Sequence, residues 1–186
     1  MTGPSGAGKG TLIHELLARV PELETTVSMT TRAQRPGEVD GREYHFRSED
    51  VFGRLVDEDG FLEWVEYVSG NRYGTPASEL DRIAADGRVP VLELETEGAL
   101  NVKRKLWPRA VTIFIAAPVA ELERRLRERA TESAGEIEER IELARRQLDQ
   151  AEEFDYVVEN DDVEEASERL VAIVRRVLDA AATMQA

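Results

Sequence analysis

The sequence has 186 residues and a formal net charge of −14, with 38 acidic and 24 basic side chains. This balance argues against a general nucleic-acid or anionic-membrane surface, although a local group of arginines can still bind a nucleotide. The chain contains no cysteine, which excludes disulfides and thiolate metal sites. The sequence shows no signal peptide or apolar run of membrane-spanning length, so we expect a cytoplasmic protein.

A glycine-rich stretch near the start has the spacing Gly-x4-Gly-Lys of a P-loop. Such a loop turns backbone N–H groups toward a polyphosphate, and its lysine reaches the β- and γ-phosphate oxygens. The residues that follow predict a helix whose N-terminus faces the phosphates. An ordinary glycine-rich turn before a helix is the alternative. The stretch predicted to bind ATP is Gly3, Pro4, Ser5, Gly6, Ala7, Gly8, Lys9, Gly10 and Thr11.

A P-loop normally joins a buried strand to a helix, yet only Met1 and Thr2 precede Gly3 here. We expect these two residues to be the end of that strand, with the rest of the N-terminal core strand missing from the chain as written. A sheet without a central strand leaves backbone groups and apolar faces uncovered. The sequence as written is therefore expected to fold poorly.

The remainder of the chain alternates short apolar strands with helices, which predicts a parallel sheet covered on both faces. Within it, residues 25–28 predict a short strand. Thr75 and Pro76 predict a helix start, with a hydroxyl cap and a proline at the first helical position. Residues 30–87 interrupt the alternation with turn-rich, hairpin-like sequence, which we interpret as an insert. Arg124, Arg125 and Arg127 lie in a predicted helix, and periodicity favours solvated positions for them.

Two arginines, Arg32 and Arg35, lie three residues apart on a loop that follows a predicted strand. Ligands of open α/β sheets bind outside the carboxyl ends of the strands. A pair of arginines can fork onto one phosphate through paired N–H donors. Tyr44 and Tyr73 could add hydroxyl donors, while two solvated loop arginines are the alternative.

Five segments occur in an order that resembles guanylate kinase. They are the P-loop, Ser-Met-Thr-Thr-Arg at 28–32, the block from Arg-Pro-Gly-Glu to Tyr at 35–44, Phe-Leu-Glu-Trp at 61–64 and Gly-Asn-Arg-Tyr-Gly-Thr at 70–75. The resemblance extends over essentially the whole chain. It implies Mg²⁺-dependent phosphoryl transfer from ATP to GMP or dGMP, giving ADP and GDP. ATP and GMP are then the partners, without nucleic acid or membrane.

The same resemblance implies the domain organisation. The expected fold is α/β, with a three-layer α/β/α P-loop core, an inserted mixed α+β subdomain for GMP and a helical lid. The expected boundaries are core 1–29, GMP-binding insert 30–87, core 88–128, lid 129–145 and C-terminal core 146–186.

Site residues are also implied by the resemblance. Glu63 matches the glutamate that reads guanine, whose N1–H and 2-amino group are adjacent donors that one carboxylate can accept. Adenine presents an acceptor at N1, and a buried mismatch of this kind supports strong discrimination. An ordinary exposed strand glutamate is the alternative. The residues implied to bind GMP are Ser28, Arg32, Arg35, Tyr44, Glu63, Tyr73, Thr75 and Glu95.

Catalytic and metal roles follow in the same way. Lys9, Arg129 and Arg140 match the phosphate-clamping cations, the two arginines belonging to the lid. Asn160 lies in the region that contacts adenine, and a loop or cap role is the alternative. Thr11 and, indirectly, Glu93 are the implied Mg²⁺ residues. The family usually has Asp, Asp and Gln where this chain has Glu93, Glu95 and Glu97, so a pair of surface glutamates is the alternative there. A catalytic base is unnecessary because the acceptor phosphate oxygen is already ionised, and positioning and electrostatics carry the rate.

Three other functions are compatible with parts of this pattern. An adenylate kinase also carries Gly-Lys-Gly-Thr, but the Glu63 segment and the arginine block argue against it. A related ribose-bisphosphate kinase stays open. A guanylate-kinase-like scaffold module would bind phosphorylated peptides without chemistry, and such modules have typically lost the phosphate-binding loop that is present here.

Overall fold

The structure is a computed structural model that describes residues 1–67, 69–128 and 134–185, without the side chains of 134–136, 184 and 185. The chain divides into two compact units. Unit 1 comprises Met1–Pro21, Glu93–Leu100 and Val111–Ala186, and unit 2 comprises Glu22–Leu92 and Asn101–Ala110. Within the described ranges, no helix is long and apolar enough to cross a bilayer.

Helices and strands alternate along most of the chain. The helices are α1 (Lys9–Arg19), α2 (Glu49–Asp57), α3 (Ser78–Ala85), α4 (Thr96–Leu106), α5 (Val119–Glu128), α6 (Ala134–Asp149) and α7 (Val163–Gln185). The strands are β1 (Leu23–Thr25), β2 (Met29–Thr30), β3 (His45–Phe46), β4 (Phe61–Glu66), β5 (Arg72–Pro76), β6 (Val89–Val91), β7 (Ile113–Ala116) and β8 (Tyr156–Glu159). A short 3-10 turn at Ala151–Glu153 precedes β8.

Unit 1 contains the parallel sheet that leads into the glycine-rich loop. Strand β7 pairs in parallel with β8 along its whole length, and its residues 113–115 are buried, as expected for a strand covered on both faces. On the opposite edge of β7, the Thr2 N–H donates to the Ile113 carbonyl at 3.0 Å and the Thr2 carbonyl accepts from Ile115 at 2.8 Å. The Leu94 N–H donates to the Met1 carbonyl at 3.0 Å. Thr2 therefore forms a parallel bridge with β7 directly before the loop, as predicted for a strand end.

Unit 2 contains a parallel pair, β1–β6, and a four-stranded sheet of order β3-β2-β5-β4. The second sheet is mixed, since β2 pairs in parallel with β3 and antiparallel with β5. Helix α2 begins after Ser48, whose hydroxyl accepts the Val51 N–H at 3.4 Å. Its Phe52 ring stacks on Phe61 of β4 at 4.4 Å between centroids, and this contact holds the helix on the sheet.

Two local predictions are wrong. Residues 26–28 lie between β1 and β2 and are not in a strand, because the Val27 N–H is bonded by the side chain of Glu79 at 2.8 Å. Thr75 and Pro76 end strand β5 and do not start a helix, since α3 begins at Ser78. The Thr75 hydroxyl is used in a bond to Glu63 at 2.8 Å, so it cannot cap the helix.

Candidate active site

The glycine-rich loop of unit 1 turns back on itself between Thr2 and α1. Gly8 has a φ of +83° and caps the helix in the left-handed region, a conformation that glycine adopts without steric cost. A Cβ on Gly3 would overlap the carbonyl oxygen of Ile115. The loop therefore packs directly on strand β7, and this close approach requires glycine at position 3. Its N–H groups precede a helix N-terminus, which is an arrangement suited to anions.

The Lys9 side chain curls over this loop. Its Nζ donates to the Gly3 carbonyl at 2.7 Å and to the Pro4 carbonyl at 3.2 Å. Burial lowers the pKa of Lys9 below its usual value, and the carboxylates of Glu93 and Glu95 partly offset this effect. An ammonium has three N–H donors, so the lysine can hold the loop and a phosphate oxygen at the same time. Thr11 is exposed on the first turn of the same helix.

Two arginines of unit 1, one on helix α5 and one on helix α6, bond the glycine-rich loop. Arg140 NH2 donates to the Ser5 hydroxyl at 3.1 Å. Arg125 NH1 donates to the Gly6 carbonyl at 3.1 Å, while its Nε is held by Glu121 at 2.6 Å. The sequence prediction that Arg125 is a solvated helix charge is wrong, because periodicity does not reveal that this side chain packs under the loop. Arg129 lies outside the described residues.

Asn160 lies directly after β8 and is completely buried. Its Nδ2 donates to the Ala7 carbonyl at 2.7 Å, and a Cβ on Gly8 would overlap the same nitrogen. The Asn160 amide therefore holds the glycine-rich loop at Ala7, next to the end of β8. Its Oδ1 is buried without a hydrogen-bond partner among the described residues. An adenine contact for Asn160 stays a prediction.

Unit 2 gathers three of the predicted phosphate-binding side chains. Arg32 forks onto Glu38 with NH1 at 3.1 Å and NH2 at 2.8 Å. Its guanidinium lies 5.6 Å from the ring centroid of Tyr44, and that ring meets Tyr73 edge to face at 5.7 Å. The Glu38 fork, together with a hydrogen bond to Tyr73, raises the pKa of Arg32. The guanidinium is thus fixed as a permanent cation beside two phenols.

The loop after Arg32 is ordered by the same carboxylate. Glu38 also accepts the Arg35 backbone N–H at 2.7 Å, and the pKa of Glu38 is lowered first by Arg32 and then by this bond. The Arg35 side chain is exposed. Ser28 is linked to the segment that carries Tyr44, because the Ser28 carbonyl accepts the N–H of the next residue, His45, at 2.8 Å. Sequence reasoning missed the role of Glu38, although its place in the Arg-Pro-Gly-Glu block was the available signal.

Glu63 and Thr75 form a direct pair across strands β4 and β5. Glu63 Oε1 accepts the Thr75 N–H at 3.1 Å and the Thr75 hydroxyl at 2.8 Å. Thr75 is fully buried and Glu63 is half-buried. Two donors on one oxygen fix the direction of the carboxylate, as a site that reads hydrogen-bond donors requires.

Glu93 and Glu95 lie in unit 1 and are exposed. Glu95 is therefore the one predicted GMP residue outside unit 2. Both glutamates lie near the Lys9 ammonium, and their charges offset part of the lowering of the Lys9 pKa by burial. Oxygen donors of this kind suit Mg²⁺, which is usually held by one or two carboxylates together with substrate phosphates. Among the described residues no group of three or more His, Cys, Asp or Glu could hold a metal by itself, and a nucleotide-bound Mg²⁺ needs no such group.

A lysine-bearing loop of this geometry, set between a parallel sheet and a helix, defines the class of P-loop kinases. The family model described as guanylate kinase matches residues 1–177. The chain is 49% identical over 179 residues to guanylate kinase of Rubrobacter xylanophilus, covering 96% of this chain and 93% of that one. It is 44% identical to guanylate kinase of Desulfitobacterium hafniense, covering 94% and 86%.

A solved structure supports the same assignment. The crystal structure of guanylate kinase from Anaplasma phagocytophilum matches with a TM-score of 0.70 and 30% identity, covering 94% of this chain and 82% of that one. The chain belongs to the guanylate kinase family.

Proposed function

We propose that the protein transfers the γ-phosphoryl group of ATP to GMP or dGMP, giving ADP and GDP. The observation that carries the proposal is the presence of a complete lysine-bearing P-loop in a chain that also has the Glu63–Thr75 pair. The first feature suits a phosphoryl donor and the second suits guanine. A scaffold module that binds phosphopeptides needs neither the lysine nor a base-reading carboxylate.

The donor end of the reaction is assigned to unit 1. Residues 3–11 cradle the ATP phosphates, with Lys9 contributing positive charge to the transferring group. Arg140 and Arg129 are proposed to add charge from the lid, residues 129–145. The bond from Arg140 to Ser5 supports this role, because it puts a guanidinium at the loop. Such cations stabilise the charge that develops on the phosphoryl oxygens.

The acceptor end is assigned to residues 30–87 with Ser28 and Glu95. Glu63 accepts guanine N1–H and the 2-amino group, and Thr75 holds its carboxylate in place while adding a second base contact. Arg32, Tyr44 and Tyr73 bind the GMP phosphate, together with Ser28 and Arg35. The fork from Glu38 supports the role of Arg32 because it removes most of the rotamer freedom that binding would otherwise have to freeze.

Mg²⁺ is proposed to enter with ATP, held by Thr11 and indirectly by Glu93, and it neutralises charge on the β- and γ-phosphates when bound. The residues of the chain do the remaining work of binding, orientation and water exclusion. Because the acceptor oxygen is already an anion, no side chain has to remove a proton from it. Metabolism of purine nucleotides in the cytoplasm is the setting proposed for this reaction.

Replacement of Lys9 by alanine tests the proposal. We expect turnover of ATP and GMP to fall by about 10²- to 10³-fold or more, because the alanine removes a positive charge that stabilises the γ-phosphoryl group during transfer. Lys103→Ala in α4 is the matched control and should keep wild-type activity. A Lys9→Ala variant with unchanged turnover, measured as ADP formation, would refute the P-loop assignment. A wild-type protein that makes no ADP but binds phosphopeptides would favour the scaffold function.

A further inference from the structure

Unit 2 contains a buried carboxylate that the proposed reaction does not use. Glu79 lies in the first turn of α3 and is only 4% exposed. Among the side chains that the structure describes as buried, it is the one that carries a charge. A buried carboxylate is costly unless it is paired and hydrogen-bonded, so its surroundings indicate what it holds in place.

Both oxygens of Glu79 accept hydrogen bonds. Oε2 accepts the Val27 N–H at 2.8 Å and Arg82 NH2 at 3.0 Å. Oε1 accepts Arg82 Nε at 3.1 Å and lies 3.4 Å from His45 Nε2. Burial raises the pKa of Glu79, but the bonds from Arg82, Val27 and His45 outweigh it and hold the pKa below the usual value.

The charged groups around Glu79 are themselves fixed. Arg82 uses its NH1 on Glu24 at 2.6 Å, and Glu24 is also held by Arg88 at 2.9 Å. Arg82 therefore bonds two carboxylates, Glu24 and Glu79, and these bonds fix the orientation of its guanidinium relative to Glu79. The carboxylate does not need to move to find a partner.

The residues that Glu79 holds adjoin the acceptor site. Val27 directly precedes Ser28, and His45 directly follows Tyr44. The two segments also contact each other, because the His45 N–H donates to the Ser28 carbonyl at 2.8 Å and His45 pairs with Met29 in the sheet. One carboxylate thus bonds to two of the segments that carry predicted GMP-phosphate groups.

We propose that Glu79 is a positioning residue for the acceptor phosphate, holding Val27 and His45 so that Ser28 and Tyr44 face the same phosphate. This role rests on the proposed function, which assigns Ser28 and Tyr44 to GMP. In this role Glu79 acts through Val27 and His45 and needs no direct contact with either substrate. Its effect is specific to the acceptor because its bonds join only segments of unit 2.

Glu79→Gln tests the role with little change in volume. An amide has one acceptor oxygen and a donor group, so it cannot accept from Val27, Arg82 and His45 together. We expect the KM for GMP to rise about tenfold or more, as small displacements of binding groups have large effects. The KM for ATP should stay within about twofold, and kcat at saturating GMP should change far less than the KM for GMP. Asp81→Asn is the matched control, since it removes an exposed carboxylate from the same helix, and it should leave all constants unchanged.

The outcomes separate this role from the proposed function. A wild-type protein that does not phosphorylate GMP contradicts both, whereas an active wild type with an unchanged KM for GMP in Glu79→Gln contradicts only the role of Glu79. An equal increase in the KM values for GMP and ATP, or a decrease in kcat alone, identifies a general structural role for Glu79. Either result also overturns the positioning role. If Glu79→Gln does not fold, His45→Asn carries the test, because that side chain is 25% exposed. It should give a smaller increase in the KM for GMP, and no increase would overturn the role.

Discussion

Replacement of Gly8 by alanine probes how tightly the P-loop is packed on Asn160. Gly8 combines a φ of +83° with a neighbour that a Cβ would overlap, the Asn160 Nδ2. That nitrogen is the end of a side chain, but the side chain is completely buried and bonded to the Ala7 carbonyl at 2.7 Å. The methyl group must therefore break this bond or shift the loop.

The expected loss of stability has two parts. The left-handed backbone costs an alanine about 1–2 kcal/mol. Displacement of the Asn160 amide leaves a buried donor and a buried carbonyl without their bond, at about 1–3 kcal/mol. Their sum predicts that Gly8→Ala lowers the free energy of unfolding by about 2–5 kcal/mol.

Two other glycines separate these parts in urea unfolding experiments. Gly87 has a φ of +70° with open space around its Cβ position, so Gly87→Ala should show the backbone cost alone. Gly10 lies in helix α1 with nothing within 4 Å of its Cβ position, so Gly10→Ala should be neutral or stabilising by up to about 1 kcal/mol. The expected order of stability is Gly10→Ala, then Gly87→Ala, then Gly8→Ala.

A double mutant makes the test stricter. Adding Gly8→Ala to an Asn160→Ala background should cost only about 1–2 kcal/mol, the backbone part, because the overlapping nitrogen is gone. The same loss for Gly8→Ala in both backgrounds, or a loss no larger than that of Gly87→Ala, would refute the packing described here.

Two further predictions concern carboxylates of unit 2. Glu63→Gln should lower kcat/KM for GMP by about 10- to 10²-fold, because the amide replaces one acceptor oxygen with an NH2 donor that would face a guanine donor. Unchanged steady-state kinetics would contradict a base-reading role. The pKa of Glu79 in the folded state lies below its usual value of 4.5, so the carboxylate binds a proton more readily in the unfolded state. The ionised Glu79 therefore stabilises the folded state above pH 4.5. That contribution is lost as pH falls through the folded-state value. The difference in unfolding free energy between wild type and Glu79→Gln should therefore shrink below pH 4.5 in urea titrations, and a difference that grows there would contradict the sign.

The sequence predicts the elements whose signals are local. The P-loop spacing depends only on neighbouring residues, and the structure has the glycine-rich loop directly before helix α1, where the spacing predicts it. The pairing of Thr2 with β7 is also expected, because a P-loop follows a sheet strand. These features need no knowledge of distant contacts.

The wrong predictions share a tertiary cause. A hydroxyl before a proline indicates a helix cap, but Thr75 is claimed by Glu63, which is 12 residues away. Residues 25–28 predict a strand, but the Val27 N–H donates to the side chain of Glu79, 52 residues later. Arg125 likewise reaches Gly6 across 119 residues, and helical periodicity contains no information about such a partner.

The choice of phosphoryl acceptor by the wild-type protein tests the proposed kinase function most directly. ADP formation from ATP and Mg²⁺ is measured with GMP, AMP or a ribose bisphosphate as acceptor, at equal concentrations. We predict that GMP dominates, with kcat/KM exceeding that for AMP by about 10⁴-fold where the site depends on the hydrogen bonds of Glu63. Dominant turnover of AMP or of the ribose bisphosphate would contradict it.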